Sequence, residues 1–126
     1  MRREAVSTSN APAAVGPYSQ AMIAEGKLLF LSGQIPLTPA GDMVTGAPGT
    51  QARQCLTNLK AVLESQGLTM DHIVKTTILL TSMEAFAEVN QVYAEFFTGA
   101  PPARATFAVS GLPRGADVEI EAVAVF

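Results

Sequence analysis

Apolar positions recur along the chain in two rhythms, one suited to helices and one to strands. Over residues 50–66, Ala52, Cys55, Leu56, Leu59, Val62 and Leu63 repeat at three- and four-residue spacing, and Gly67 follows as a stop. That spacing predicts a helix with one buried stripe. Over residues 73–81 the period drops to two. Val74, Thr76, Ile78 and Leu80 share one face, and Lys75, Thr77, Leu79 and Thr81 share the other. Thr81-Ser82-Met83-Glu84 has the form of a capping box opening a second helix, whose buried stripe is Phe86, Val89, Tyr93, Phe96 and Phe97. Residues 19–24 and 27–32 read as two strands joined at Glu25-Gly26, the second a continuous apolar run of the kind covered on both faces. Residues 103–109 and 117–126 supply the last two strands, and residues 10–17 and 36–49, punctuated by Pro and Gly, are loops. The order strand-strand-helix-strand-helix-strand-strand predicts an α+β fold with both helices packed on a mixed sheet. If they cover one face only, the other face needs a partner.

Composition sharpens that expectation. The chain has 126 residues, the size of one domain spanning 1–126. Charged residues make up 15% and hydrophobic residues 48%, against about 25% charged in a typical domain. A small domain has much surface to cover, so the shortage of charge points to surface hidden against other subunits, the alternative being an Ala- and Gly-rich exterior. The net charge of −3 argues against a nucleic-acid partner. No run approaches the roughly 18 apolar residues of a membrane span, and no secretory h-region follows Arg2-Arg3. Neither a membrane nor a secretory route is expected. One cysteine, Cys55, cannot form an internal disulfide, and a reducing cytoplasm is the simplest reading. Cys55 lies on the apolar stripe and reads as a core residue.

Three polar features stand where apolar residues are expected. Glu119 and Glu121 share one face of the last strand, about 7 Å apart. They are solvated, paired or functional. Arg104 lies in a stretch of small and apolar residues, where it can grip a carboxylate with two hydrogen bonds or pair with one of those glutamates. Asn90 falls on the stripe of the second helix, tying down a loop or touching a ligand. One His and one Cys cannot build the usual zinc sets, and the chain has no phosphate loop, dinucleotide fingerprint or nucleophile elbow. No metal or cofactor is expected.

The stretches NAPAAVGPYSQ (10–20), SGQIP (32–36), QARQ (51–54), VKTT (74–77), Val89-Asn90, PAR (102–104), Leu112-Pro113 and VEIEA (118–122) occur in an order and spacing that resemble the reactive intermediate deaminase (RidA, YjgF-like) family over nearly the whole chain. The resemblance implies a chorismate-mutase-like fold, a homotrimer and ligand clefts between subunits. It implies that Arg104 clamps a substrate carboxylate and that Glu119 positions or activates water. Tyr18, Ser32 and Gly33 are implied to line the same cleft from the neighbouring chain, with Asn90 and Thr106 near it. Glu121 has no role in that pattern. The implied reaction hydrolyses enamine or imine acids, such as 2-iminopropanoate and 2-iminobutanoate, to 2-oxo acids and ammonia, without a cofactor. A ligand-binding or regulatory module on the same fold is the alternative. This chain has Thr106 where many members carry cysteine, and a shortened segment before Arg104 that bears on substrate size.

Overall fold

The core of the chain is a four-stranded sheet in the order β3-β6-β4-β5, formed by Leu28–Gln34 (β3), Val118–Val125 (β6), Ile73–Leu80 (β4) and Ala103–Ala108 (β5). The structure is a computed structural model describing all residues, Met1–Phe126. β6 runs antiparallel to both β3 and β4, whereas β4 and β5 are parallel. Parallel neighbours need a crossover, and the helix Phe86–Ala94 (α2) supplies it between β4 and β5. The helix Pro48–Ser65 (α1) makes the other crossover, from β3 over β6 to β4. Both crossovers step the same way along the sheet, and the right-handed rule then places both helices on one face. This is the mixed α+β sandwich that the periodicities predict.

The helix face is where the core sits. Ala52, Cys55, Leu56, Leu59 and Leu63 of α1 are buried, together with Ile78 and Leu80 of β4 and Val118 and Ile120 of β6. Val62 departs from the expected stripe and is 39% exposed, because it lies at the margin of the α1 contact face. Cys55 is fully buried with its Sγ 3.6 Å from the carbonyl of Val118, and burial, with a contribution from the charge of Glu119, pushes its thiol up to about 12. The opposite face carries the alternate residues, among them Phe30, 72% exposed, and Phe107, 55% exposed.

Two expectations are corrected. Arg2–Val6 forms a strand, β1, that pairs antiparallel with Ala21–Glu25 (β2). The sequence RREAV carries three charges in five residues, so no hydrophobic rhythm marks it. The two strands joined at Glu25-Gly26 are present, and they enter different sheets: β2 joins β1, and β3 joins β6. The second helix is capped by Ser82, whose Oγ accepts from the Glu84 N–H at 3.2 Å, and not by Thr81, which donates to Asp117 at 2.9 Å. A short 3₁₀ turn intervenes, and of the expected stripe only Val89 and Tyr93 are fully buried.

Candidate active site

The sheet sorts the polar residues of interest into two groups on opposite faces. Arg104 and Thr106 alternate on the edge strand β5, opposite Thr76 and Ile78 of β4, and so face the helices. Glu119 and Glu121 lie opposite Leu79 and Thr77, on the face the helices leave open.

On the helix side, Arg104 is enclosed by aromatic rings. Its guanidinium carbon lies 5.0 Å from the ring centre of Tyr93 and 5.7 Å from those of Tyr18 and Phe86. All three distances are within cation–π range. Nη1 is buried with no hydrogen-bond partner, and no carboxylate lies within ion-pair distance. The internal ion pair with Glu119 or Glu121 is therefore not formed. Desolvation lowers the Arg104 pKa, opposed by Tyr93 and Tyr18, yet an arginine so placed keeps its charge near neutral pH. The hydroxyl of Thr106, two residues along the same strand, is also buried without a partner. Buried polar atoms are nearly always paired, so two unpaired ones on one face of one strand set this place apart from the rest of the chain.

Tyr18 reaches this group through its loop. Ser19 donates from Oγ to the Pro101 carbonyl at 2.6 Å and from its N–H to the Pro102 carbonyl at 3.1 Å. Those bonds fasten the loop to the segment entering β5, which sets the Tyr18 ring beside Arg104 of its own chain. Within one chain Tyr18 thus stands with Arg104, whereas Ser32 and Gly33 lie with Glu119 on the other side of the sheet. The segment before β5 is held from other sides too: Arg3 donates to the Ala100 carbonyl at 2.8 Å, and Asp71 accepts from the Thr98 N–H at 3.3 Å.

On the open face, Ser32 and Gly33 form a bulge. Leu31 pairs with Ala122 and Gln34 with Ile120, so two residues of β3 oppose one of β6. Gly33 lies tight against the half-buried Glu119: a Cβ there would stand 3.0 Å from the Glu119 carboxyl carbon and 3.1 Å from Oε2. The lack of a side chain is what lets the bulge approach that carboxylate. Glu121 is exposed and lines a depression of about 310 Å³ with Phe30, Ser32 and Lys75. None of the four main concavities of the single chain is lined by Arg104 or Glu119.

Asn90 is half-buried and makes no side-chain hydrogen bond within the chain, so it ties down no loop. No cluster of three His, Cys, Asp or Glu side chains is arranged to hold a metal, and no helix is long and apolar enough to cross a membrane. Sequence reasoning missed Tyr93 and Phe86 as walls of the Arg104 site, because aromatic residues at helical spacing read as core. The signal that could have found them is the arginine itself, which needs ring faces if it has no acid.

The comparisons with known proteins agree on one family. The family model described as "Endoribonuclease L-PSP" matches residues 8–126. The protein DfrA of Myxococcus xanthus is 56% identical over 99% of this chain and 97% of its own. The 2-iminobutanoate/2-iminopropanoate deaminase of Mus musculus is 46% identical over 98% of this chain and 91% of its own. Among solved structures, that of Escherichia coli TdcF with bound serine superposes with a TM-score of 0.76 at 38% identity, covering 98% of each chain. The chain belongs to the RidA/YjgF family, the one whose model carries the endoribonuclease L-PSP description.

Proposed function

We propose that this protein hydrolyses small 2-imino acids, and the enamines in equilibrium with them, to 2-oxo acids and ammonia. The observation that carries the reading is Arg104: a half-buried cation, walled by rings, with Nη1 buried and unpaired and no acid of its own. Such a group suits a carboxylate delivered by a ligand. The relatives named 2-iminobutanoate/2-iminopropanoate deaminase, and the serine bound to TdcF, supply the class of that ligand, a small α-substituted acid.

The chemistry follows from the placing of charge. Arg104 holds the carboxylate and so fixes the adjacent C=N carbon. Glu119 takes a proton from water as the water oxygen bonds to that carbon and the C=N π pair moves to nitrogen. Glu119 returns that proton to the carbinolamine nitrogen, then accepts the hydroxyl proton as the C=O bond forms, the C–N bond breaks and ammonia leaves, giving the 2-oxo acid. Thr106, Tyr18 and Asn90 border the clamp; Ser32 and Gly33 border the glutamate. A protonated imine is electrophilic enough that this sequence needs no cofactor.

Arg104 and Glu119 on opposite faces cannot grip one small molecule within one chain. The reading therefore requires a homo-oligomer, a trimer as in the resemblance, in which the Arg104 group of one subunit meets the Glu119 bulge of the next. The exposed Phe30 and Phe107 on the open face support such packing. The same proposal keeps the protein in the reducing cytoplasm and gives it neither a membrane nor a nucleic-acid partner. The family description names RNA cleavage, but a net charge of −3 favours no phosphate backbone.

The test is trapping. An amino-acid oxidase or a threonine dehydratase generates the imine in semicarbazide, and semicarbazone is followed with and without this protein. Suppression of semicarbazone is expected. Its absence across small and large imino acids would move the reading to a carboxylate-binding module without turnover.

A further inference from the structure

A guanidinium with no carboxylate partner needs something else to hold it in one orientation, because cation–π attraction fixes distance from a ring better than rotation about it. Tyr93 is the nearest of the three rings to Arg104 and is itself completely buried. Its hydroxyl is 2.7 Å from Oγ1 of Thr76, a residue 1% exposed. Thr76 is the register partner of Arg104 across the parallel β4–β5 pair. The three residues therefore form a closed triangle: strand pairing joins Arg104 to Thr76, a hydroxyl bond joins Thr76 to Tyr93, and the Tyr93 ring backs Arg104. Phe97 packs against the ring at 4.8 Å between centres, tilted by 45°. A Val–Phe pair would fill the same apolar space, so packing alone does not call for two hydroxyls here.

We infer that Thr76 and Tyr93 are positioning residues for Arg104, their hydroxyl bond locking the ring against which the guanidinium rests. The bond ties α2 to the middle of β4, so the clamp is referenced to the rigid sheet and not to a loop. Burial keeps the Tyr93 phenol neutral at physiological pH, its pKa pushed up to about 12, so the ring offers its π face without becoming a counter-ion that would occupy the arginine. Nη1 is left without a hydrogen-bond partner inside the chain.

The inference rests on Arg104 being the carboxylate clamp of an imine deaminase, and its test is built to separate the two. Tyr93→Phe keeps the ring and its quadrupole but removes the hydroxyl bond; Thr76→Val removes the same bond from the other side; Thr76→Ser retains it. At a temperature well below unfolding, Tyr93→Phe and Thr76→Val should each lower kcat on the order of tenfold with KM within about twofold, since the carboxylate is still bound but less well aimed. The double variant should be no worse than either single one, because both remove one interaction. Thr76→Ser should restore the wild-type rate. In parallel, the Arg104 Nε–H resonance, identified by its loss in Arg104→Ala, should be sharp and slow to exchange in the wild type and in Thr76→Ser, and broadened in Tyr93→Phe and Thr76→Val. A lowered unfolding midpoint with unchanged kcat and an unchanged Arg104 resonance would overturn the inference and leave the pair a structural one. Wild-type protein without turnover would sink the deaminase reading alone, and the resonance would still decide the positioning role.

Discussion

Two polar clusters of this chain are built to opposite rules. Around Asp117, at the start of β6, the groups close on one another. Gln51 donates from Nε2 to the Asp117 carboxylate at 3.1 Å and to the Gly46 carbonyl at 3.2 Å, and the Asp117 N–H donates back to Gln51 Oε1 at 2.9 Å. Thr81 donates to the other carboxylate oxygen at 2.9 Å. That network joins the first turn of α1, the end of β4 and the start of β6. Around Arg104, an arginine nitrogen and a threonine hydroxyl are buried and bonded to nothing. Leaving a buried group unpaired costs about 1–3 kcal/mol, more when it is charged. The chain tolerates that cost in one cluster and avoids it in the other. Polarity around Asp117 is satisfied inside the chain; polarity around Arg104 is not, as the proposed carboxylate clamp requires.

The comparison is broken most sharply by removing its two central residues. Arg104→Ala should lower imine hydrolysis by at least about a hundredfold, while the unfolding midpoint changes little, since the side chain makes no hydrogen bond or ion pair within the chain. Steady-state trapping and a thermal melt on the same sample check both. Asp117→Ala should do the reverse: a loss of about 2–3 kcal/mol in denaturant unfolding, with kcat of the folded fraction unchanged. If Asp117→Ala lost turnover in proportion to Arg104→Ala, the division between the clusters would not hold.

Gly33→Ala should have a smaller effect. The new methyl displaces the Glu119 carboxylate that it would otherwise meet at about 3 Å, and kcat should fall roughly tenfold with little change in carboxylate binding. The smallest effect is expected at Arg114, the only non-glycine residue with positive φ, at 56°. Arg114→Gly should relieve that strain and leave stability within about 1 kcal/mol of wild type or above it, with activity intact. Equilibrium unfolding measures the shift.

Much of this was legible in the residue order. β4 and α1 were readable because burial repeats at two in one and at three to four in the other, and β6 because Glu119 and Glu121 interrupt an otherwise apolar alternation. β1 was not, since a charged ribbon strand carries no burial rhythm. The contrast between Glu119 and Glu121, identical in type and on one face, depends on Gly33 from a distant strand and could not be read from spacing. Nor could the Thr76–Tyr93 bond, which joins residues that each look like core. Arg104 stood out as a charge among small residues, but whether it paired internally was a question only the fold could answer.

The central claim is that the clamp and the water-activating carboxylate come from different subunits, and mixing tests it most directly. Arg104→Ala and Glu119→Ala should each be inactive alone. Dissociated, mixed in equal amounts and reassembled, they should recover activity approaching roughly a quarter of wild type, the fraction of sites that draw an intact arginine from one chain and an intact glutamate from its neighbour. Mixed oligomers that contain both chains yet stay inactive would contradict it.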